Sequence, residues 1–484
     1  MGIDERDVRL QKLKELREIG ENPYKEKYKR THSMAKAKEL PIGTKNVRIA
    51  GRVMAIRMFG RLIFATLKDF SSTMQIALQE KNLGKDRFKF FKKYVDIGDF
   101  IGVEGSIFKT KMGEITVDTE SYELLSKTIR PLPEKWHGLS DKELCYRQRY
   151  LDLLMNKETM DRFITRTKIV KSIRSFLDNN GFYEVETPAL QTKPSGAIAT
   201  PFVTHHNALD IDLYLRIAPE TYLKRCIAGG FEKVYEFARS FRNEGMDPSH
   251  LQDFTMLEYY VAYWNYQDNM DFTELIIKNV LQEVKGSLIL KHGEDTIDFG
   301  GEWERKDLQE IILDDTGIDI YQYKDADSMR KDIIKKGYEI QDIEKMSFGT
   351  LIDNLFKKVS RPKILGPLFV IHHPIELSPL ARKNDKNPRI TDRFQLIVKG
   401  WEIVNAYSEL IDPVDQRQRL EEQAKLHSRG DTEAMVMDED FLTAMEHGMP
   451  PMSGWGMGID RFVALLTNQE NLRDVVLFPL MKPL

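Results

Sequence analysis

The 484-residue sequence predicts an α+β protein in two parts. A small five-stranded β-barrel comes first, and a larger unit follows in which an antiparallel sheet is flanked by helices. Three observations predict this. Residues 46–125 run as short stretches of alternating apolar and polar residues, the two-residue period of a strand. Arg130-Pro131-Leu132-Pro133-Glu134-Lys135 then breaks that texture with the composition of a linker. Beyond it, helix-period stretches alternate with strand-period ones, and the length leaves room for two or three domains with sizeable cores.

In chain order, residues 1–45 form an N-terminal extension. Val8, Leu13, Leu16 and Ile19 stand near helical spacing and Gly20 ends the pattern, so a short amphipathic helix is expected there. The net charge of −3 hides basic clusters such as Lys25, Lys27, Lys29 and Arg30. A mildly acidic balance does not exclude nucleic acid, because phosphate contacts need a basic patch rather than a basic protein. Residues 46–130 hold the barrel, with strands expected at 47–53, 62–67, 74–78, 99–106 and 114–117 and a helical insertion between the third and fourth. Five strands with that insertion suggest an OB-fold, a common binder of single-stranded nucleic acid. Phe64 is suited to stack on a base, and Gln75 and Glu114 to read base edges. In an isolated barrel, Phe64 fits a core position more readily than a platform.

Residues 131–145 read as linker and 146–484 as the second unit. A helix with Ile169, Ile173 and Phe176 on its core face leads to Gly181-Phe182-Tyr183-Glu184-Val185-Glu186-Thr187-Pro188. Strand alternation at Val234-Tyr235-Glu236-Phe237 and again at Phe254 to Tyr260, around the turn-rich Gly245-Met246-Asp247-Pro248-Ser249, predicts an antiparallel hairpin. It carries Arg242, Glu244, His250, Phe254, Glu258 and Tyr260. A guanidinium donates two hydrogen bonds at once to phosphate or carboxylate, and a phenyl ring suits a purine face. The combination points to a nucleotide site, and no GxxxxGK[ST] occurs to make it a P-loop. The plain alternative is a surface ion pair between Arg242 and Glu244 on an ordinary hairpin.

Residues 306–360 lack such polar signals and read as an inserted helical region. Trp401 to Leu410 is a strand in which Asn405, Tyr407 and Glu409 share a face. Gly454-Trp455-Gly456-Met457-Gly458 then lets backbone approach a ligand, and Arg461 falls in the first turn of the following helix, whose N-terminus favours anions. The two cysteines, Cys145 and Cys226, fit neither metal-ligand spacing nor a disulfide framework. With no run of membrane length and no signal peptide, a cytoplasmic protein with no membrane partner is expected.

Taken in order, these segments resemble the signature motifs of class II aminoacyl-tRNA synthetases, and in detail those of the bacterial-type lysyl-tRNA synthetases. The first motif resembles Gly181 to Pro188, the second Phe241-Arg242-Asn243-Glu244 through Tyr260, and the third Gly456 to Arg461. Thr204-His205-His206-Asn207, Leu215-Arg216-Ile217-Ala218-Pro219-Glu220 and Tyr146 to Asp152 are similar to strings of that family between the motifs. The likeness runs from about Val8 to Pro483.

The resemblance implies a lysine–tRNA ligase. Lysine is activated with ATP to lysyl-adenylate and pyrophosphate, then passed to the 3′-terminal adenosine of tRNA(Lys). It implies that Arg242 bridges the lysine carboxylate and the α-phosphate and that Arg461 holds the γ-phosphate. Phe254 stacks under adenine, Glu244 meets the base edge and His250 reaches the phosphates. Glu409 and Tyr260 are implied for the ε-ammonium, Asn405 and Tyr407 for the pocket wall, Glu220 and Glu258 for the α-ammonium, with Gly196 and Gly454 giving room. Phe64, Gln75 and Glu114 match positions that read the anticodon, and the stretch around Pro188 is implied to form a homodimer interface.

Magnesium is where the chain departs from its family, which carries two glutamates seven residues apart. Here Glu402 remains and the earlier position is Gln395, an amide oxygen that binds Mg²⁺ more weakly than a carboxylate. Strict alternation would set Glu402 on the face opposite Asn405, so both serve one site only if the strand carries a bulge or twist. Ser195, Thr200 and Ile411 are further departures. Two other readings stand beside the main one: a lysine-adenylating paralogue with a non-tRNA acceptor, and a catalytically weakened tRNA-binding paralogue.

Overall fold

In the computed structural model, which describes residues 4–133, 139–197, 199–428 and 435–483, the alternation of the first part becomes β1 (Val47–Phe59), β2 (Leu62–Lys68), β3 (Thr73–Gln79), β4 (Phe100–Lys109) and β5 (Ile115–Ser126). Alternate side chains, among them Val47, Ile49 and Val53 of β1 and Ile63, Ala65 and Leu67 of β2, point inward and are buried. The barrel closes in the order β1-β2-β3-β5-β4, its β3–β5 pairing parallel and the others antiparallel. Closure leaves no strand edge open to association. Helix Lys85–Tyr94, the expected insertion, buries Phe88 and Phe91 in the same core. Below it the Lys127 ammonium, fully buried, meets Asp99 at 2.8 Å and the carbonyl of Tyr94 at 2.8 Å.

The N-terminal extension contributes to this core: Leu16, Met34 and Ala37 belong to it. Its first helix spans Glu5–Glu18, with Arg9, Leu13 and Leu16 on the buried face. Val8 and Ile19, expected inside, are exposed. The reason is that Arg9 lays its stem on the barrel while its guanidinium donates to Glu5 and to the carbonyl of Ile97, 2.9 Å away. Ile19 lies past the last turn, as its C-cap.

Contacts divide the chain into units 1–140 and 141–484. Residues 134–138, within the expected linker, lie outside the described residues. Helix starts earlier than the linker reading allowed, at Lys142, because Asp141 caps it by accepting from the amides of Glu143 and Leu144.

In the second unit the strands are β6 (Tyr183–Glu184), β7 (Leu190–Gln191), β8 (Val203–His206), β9 (Ile211–Leu215), β10 (Lys233–Phe241), β11 (Asp253–Ala262), β12 (Ile289–His292), β13 (Asp295–Asp298), β14 (Glu304–Asp307), β15 (Leu368–Ile371), β16 (Arg393–Val398), β17 (Trp401–Ser408) and β18 (Met452–Gly458). Eight of them form one sheet in the order β14-β15-β16-β17-β18-β11-β10-β6. It is antiparallel from β15 to β10, with a parallel strand added at either edge.

The two faces of this sheet differ in kind. Tyr235, Leu257, Tyr259, Val404, Ala406, Trp455 and Met457 share a core with helices Lys157–Asn179 and Tyr266–Lys285, where Ile169, Ile173, Ile276 and Ile277 meet them. Leu177 completes the first helix's core face, with Phe176 beside it on Phe272. The residues between these, Glu258, Tyr260, Asn405, Tyr407, Gly454 and Gly456, therefore turn to the other face. The inserted region is helical from Leu308 to Lys363 around its own core of Ile311, Ile312, Leu351, Ile352 and Leu355, but Lys306 and Asp307 belong to strand β14.

Candidate active site

The polar face of the sheet floors an open cleft. Register sets its rows. Glu236, Glu258, Gly456, Asn405 and Gln395 lie side by side across five strands, and Val234, Tyr260, Gly454, Tyr407 and Arg393 form the next row. Both glycines sit between large polar neighbours. A Cβ on Gly454 would stand 2.1 Å from Glu409 Oε1 and 2.4 Å from Tyr260 Cε1, so a bare backbone is required there. Gly196, at φ +89°, approaches the Cβ of Glu220 from the cleft wall.

The β10–β11 hairpin brings Arg242 over Phe254, guanidinium carbon 5.1 Å from the ring centre. The Arg242 backbone amide donates to the carbonyl of Gln252, and its Nε has no hydrogen-bond partner among the described residues. Burial pulls its pKa below the ordinary arginine value against the opposing charge of Glu244, without threatening a guanidinium charge that persists in proteins. Glu244 is exposed at the cleft rim, and no ion pair between it and Arg242 forms among the described residues, although its charge is felt by the guanidinium. His250 receives an N–H of Arg461 at 3.4 Å on Nε2 and donates from Nδ1 to Asp247 at 2.8 Å. Arg461 also donates to the carbonyl of Glu402 at 3.2 Å. Its neighbour Asp460 anchors the helix start, accepting from the Thr255 amide at 2.8 Å and pairing with Arg166 at 2.6 Å.

At the inner end of the cleft lies a cluster of buried acids. Glu258 accepts from the Tyr260 hydroxyl at 3.2 Å, and Glu220 from the Tyr407 hydroxyl at 2.7 Å. Burial, with Glu220 nearby, pushes the Glu258 carboxyl up to about 8. Burial also holds Glu409 well above the usual carboxylate range, against the pull of Lys224. Tyr260 and Tyr407 are pushed up by burial and stay phenols that donate. Glu409 reaches over Gly454 beside Tyr260 and is in ion contact with Lys224. Lys224, fully buried in helix Glu220–Ala228, also meets Glu220 at 2.6 Å. The sequence reading missed it, although the Glu220-x-x-x-Lys224 spacing on one helix face was a signal.

The strand that carries Asn405 has the irregularity its spacing requires. Leu396 pairs with Val404 but Ile397 with Glu402, so Ile403 is an extra residue on β17. That bulge turns Glu402 to the cleft face together with Asn405. Gln395, at the position the family fills with a second glutamate, is 7% exposed and donates from Nε2 to Glu402 Oε2 at 2.9 Å. Its oxygen faces His373 Nε2 at 3.2 Å, and burial holds His373 neutral, well below the usual histidine range. Among the described residues no group of three or more His, Cys, Asp or Glu is arranged to hold a metal by itself.

On the barrel, Phe64 is not a core residue. It pairs with Ala77 and Arg57 on the outer face, half-buried, with its ring edge-on to exposed Phe59 at 6.3 Å. Gln75 is on the same face but already committed: Oε1 accepts from Arg57 at 2.8 Å and Nε2 donates to Thr116 at 3.0 Å. Glu114 is exposed in the β4–β5 turn, two residues before Thr116.

Comparison with known proteins gives the family. The family described as tRNA synthetases class II (D, K and N) matches residues 141–482, and an OB-fold nucleic acid binding domain matches residues 47–125. Lysine–tRNA ligase of Carboxydothermus hydrogenoformans is 49% identical over 481 residues, covering 98% of this chain and 97% of its own length. That of Bacillus subtilis is 45% identical over 488 residues, covering 99% and 97%. That of Aquifex aeolicus is 47% identical over 438 residues, covering 90% and 73%. Likeness of this extent, over both the barrel and the cleft, leaves one conclusion: the chain belongs to the lysine–tRNA ligase family of class II tRNA synthetases.

Proposed function

We propose that the cleft activates L-lysine with ATP and that the chain then charges tRNA(Lys). The observation that supports it most is the acid cluster of Glu220, Glu258 and Glu409 at the inner end of a cleft whose mouth carries Arg242, Phe254, His250 and Arg461. A cationic amino acid satisfies that cluster, while an apolar one leaves buried carboxyls unpaired.

In the first step an oxygen of the lysine carboxylate bonds to the α-phosphorus of ATP, the α–β phosphoanhydride bond breaks and pyrophosphate leaves. No general base is needed, since an α-carboxyl of pKa about 3.3–3.7 is already ionised. Arg242, with its unpartnered Nε and its place over Phe254, spans carboxylate and α-phosphate as adenine stacks on Phe254. Arg461 and His250 hold the outer phosphates. Glu258 and Glu220 take the α-ammonium, Tyr260 and Glu409 the ε-ammonium, with Asn405 and Tyr407 as wall. Catalysis is positioning plus charge stabilisation. In the second step the 3′-hydroxyl of the terminal tRNA adenosine attacks the lysyl carbonyl carbon and AMP leaves.

For magnesium the residues fit one ion held with ATP, because such sites need only one or two carboxylates plus phosphate oxygens. Glu402 would hold it, where it would neutralise phosphate charge. On the barrel, the outer face bearing Phe64, Gln75 and Glu114 is assigned to the anticodon. For a homodimer, support comes from the edge strand β6, whose exposed Tyr183 stands edge-on to the exposed ring of Phe231, 6.2 Å away. No helix among the described residues is long and apolar enough to cross a membrane, and we place the protein in the cytoplasm with its tRNA.

The test is amino-acid-dependent ATP–pyrophosphate exchange. Lysine drives exchange and aspartate does not; equal exchange with aspartate would overturn the assignment.

A further inference from the structure

Lys224 has no part in the roles given above, yet it is as buried as any side chain in the protein. It projects from helix Glu220–Ala228 into a shell built by four elements. Glu220 on its own helix accepts at 2.6 Å, Glu409 after β17 pairs with it, and the rings of Tyr407, Tyr260 and Phe441 surround it at 5.7, 5.9 and 5.7 Å. Burial works to remove its proton, but Glu220 and Glu409 outweigh that, and its pKa stands above the ordinary lysine value. It is therefore a fixed cation.

Neither oxygen of Glu409 has a hydrogen-bond partner among the described residues, but Oε2 is in ion contact with Lys224 while Oε1 lies in the space over Gly454. One carboxylate thus has one oxygen held by the protein and one left for a ligand. Charge points the same way. With Glu220, Glu258 and Glu409 ionised as bound ammonium groups would have them, Lys224 and Arg242 bring the net charge of this inner cluster to −1. Lysine, with two ammonium groups and one carboxylate, carries +1. The bound pocket is then neutral, which a low-dielectric site strongly favours.

We propose that Lys224 is a positioning residue for lysine recognition: its buried ammonium pairs with Glu220 and Glu409 and aims them, leaves Glu409 Oε1 to the substrate's side-chain ammonium, and supplies the positive charge that matches the acid cluster to a singly cationic amino acid. This rests on the reading of the cleft as a lysine pocket and adds a residue that touches no substrate.

Lys224→Met, close in length and apolar, removes the charge. Without it one of the clustered carboxyls keeps a proton that the substrate must displace. The groups that face this site, Glu220, Glu258, Glu409, Tyr260, Tyr407 and Arg242, are unchanged in the variant.

The experiment is pyrophosphate exchange on the full chain, with KM for lysine followed from pH 6 to 8 and thermal unfolding as the control for folding. The expected result is a rise in lysine KM of roughly tenfold or more at pH 7, equivalent to one pKa unit. KM for ATP should stay near the parent value, and the acidic fall in kcat/KM for lysine should move to higher pH. Lys224→Arg keeps the charge and should keep the parent's pH midpoint even if its lysine KM is raised by bulk. An unchanged lysine KM and pH profile in Lys224→Met would overturn the proposal. So would equal losses toward lysine and ATP, which mark a merely structural role. If Lys224→Met does not fold, Lys224→Arg decides: a displaced pH midpoint overturns the proposal and a retained one supports it. Failure of the lysine reading itself would look different, as a parent protein with no lysine-dependent exchange.

Discussion

Gly454 shows how little room the pocket leaves at the scale of one residue. Its missing side chain is the space in which Glu409 Oε1 and the edge of Tyr260 lie. Gly454→Ala should therefore push both aside, and overpacking of a tight site costs about 1–3 kcal/mol. The cost falls on lysine: its KM should rise by roughly tenfold to a hundredfold on that scale, with KM for ATP little changed. Equal effects on both substrates would show that Gly454 serves the sheet rather than the pocket.

The acids beside it make a second residue-scale prediction. Burial holds Glu258 up to about 8 and Glu409 above the usual carboxylate range. Below pH 8 Glu258 therefore carries a proton for much of the time. An arriving ammonium favours the ionised form and lowers both values, so binding releases protons. Lysine affinity should then weaken as pH falls from 8 to 6, by up to about tenfold per unit for each proton released. Calorimetry of lysine binding at pH 7 in buffers of different ionisation heat checks this. Heats that do not depend on the buffer would exclude proton release.

At the scale of the element, the bulge on β17 decides which side chains meet. Residues three apart on a regular strand face opposite ways, and Ile403 as an extra residue brings Glu402 round to join Asn405. Across the strand pair, Gln395 occupies one oxygen of Glu402, the remaining carboxylate of the family's pair, with its amide N–H. Gln395→Glu removes that donor and adds a second carboxylate. The magnesium concentration for half-maximal exchange should fall in the variant. Superimposable magnesium curves for variant and parent would show that position 395 does not tune metal use.

At the scale of the molecule, the two units have separate cores, one around Ile63, Ile76 and Val103 and the other around Ile169, Tyr259 and Trp455. Every residue assigned to lysine and ATP lies in the second. A chain of residues 141–484 should therefore retain lysine-dependent pyrophosphate exchange while losing tRNA charging, mainly through weaker tRNA binding. In the full chain Phe64→Ala should reproduce part of that loss, since stacking contributes about 1–3 kcal/mol per base. Full tRNA charging by the folded shorter chain would remove the anticodon role from the barrel.

The sequence by itself determined the two-part architecture and most of the polar residues in the cleft. Period-two alternation fixes which face of a strand is wet, and Gly-rich and Arg-bearing segments such as Gly454 to Arg461 have few uses in a core. Even the irregularity between Glu402 and Asn405 was readable, because a spacing of three cannot put two residues on one face of a regular strand. What only the tertiary structure decided were contacts between segments far apart in the chain. Nothing local says that Lys224 reaches Glu409, that Arg57 engages Gln75, or that Gln395 turns its nitrogen to Glu402 and its oxygen to His373. Arg9 taking a buried place that Val8 and Ile19 were expected to share is of the same kind. A long charged side chain buries its stem when an acceptor such as the Ile97 carbonyl waits at its tip, and that acceptor is supplied by the fold rather than by the neighbouring sequence.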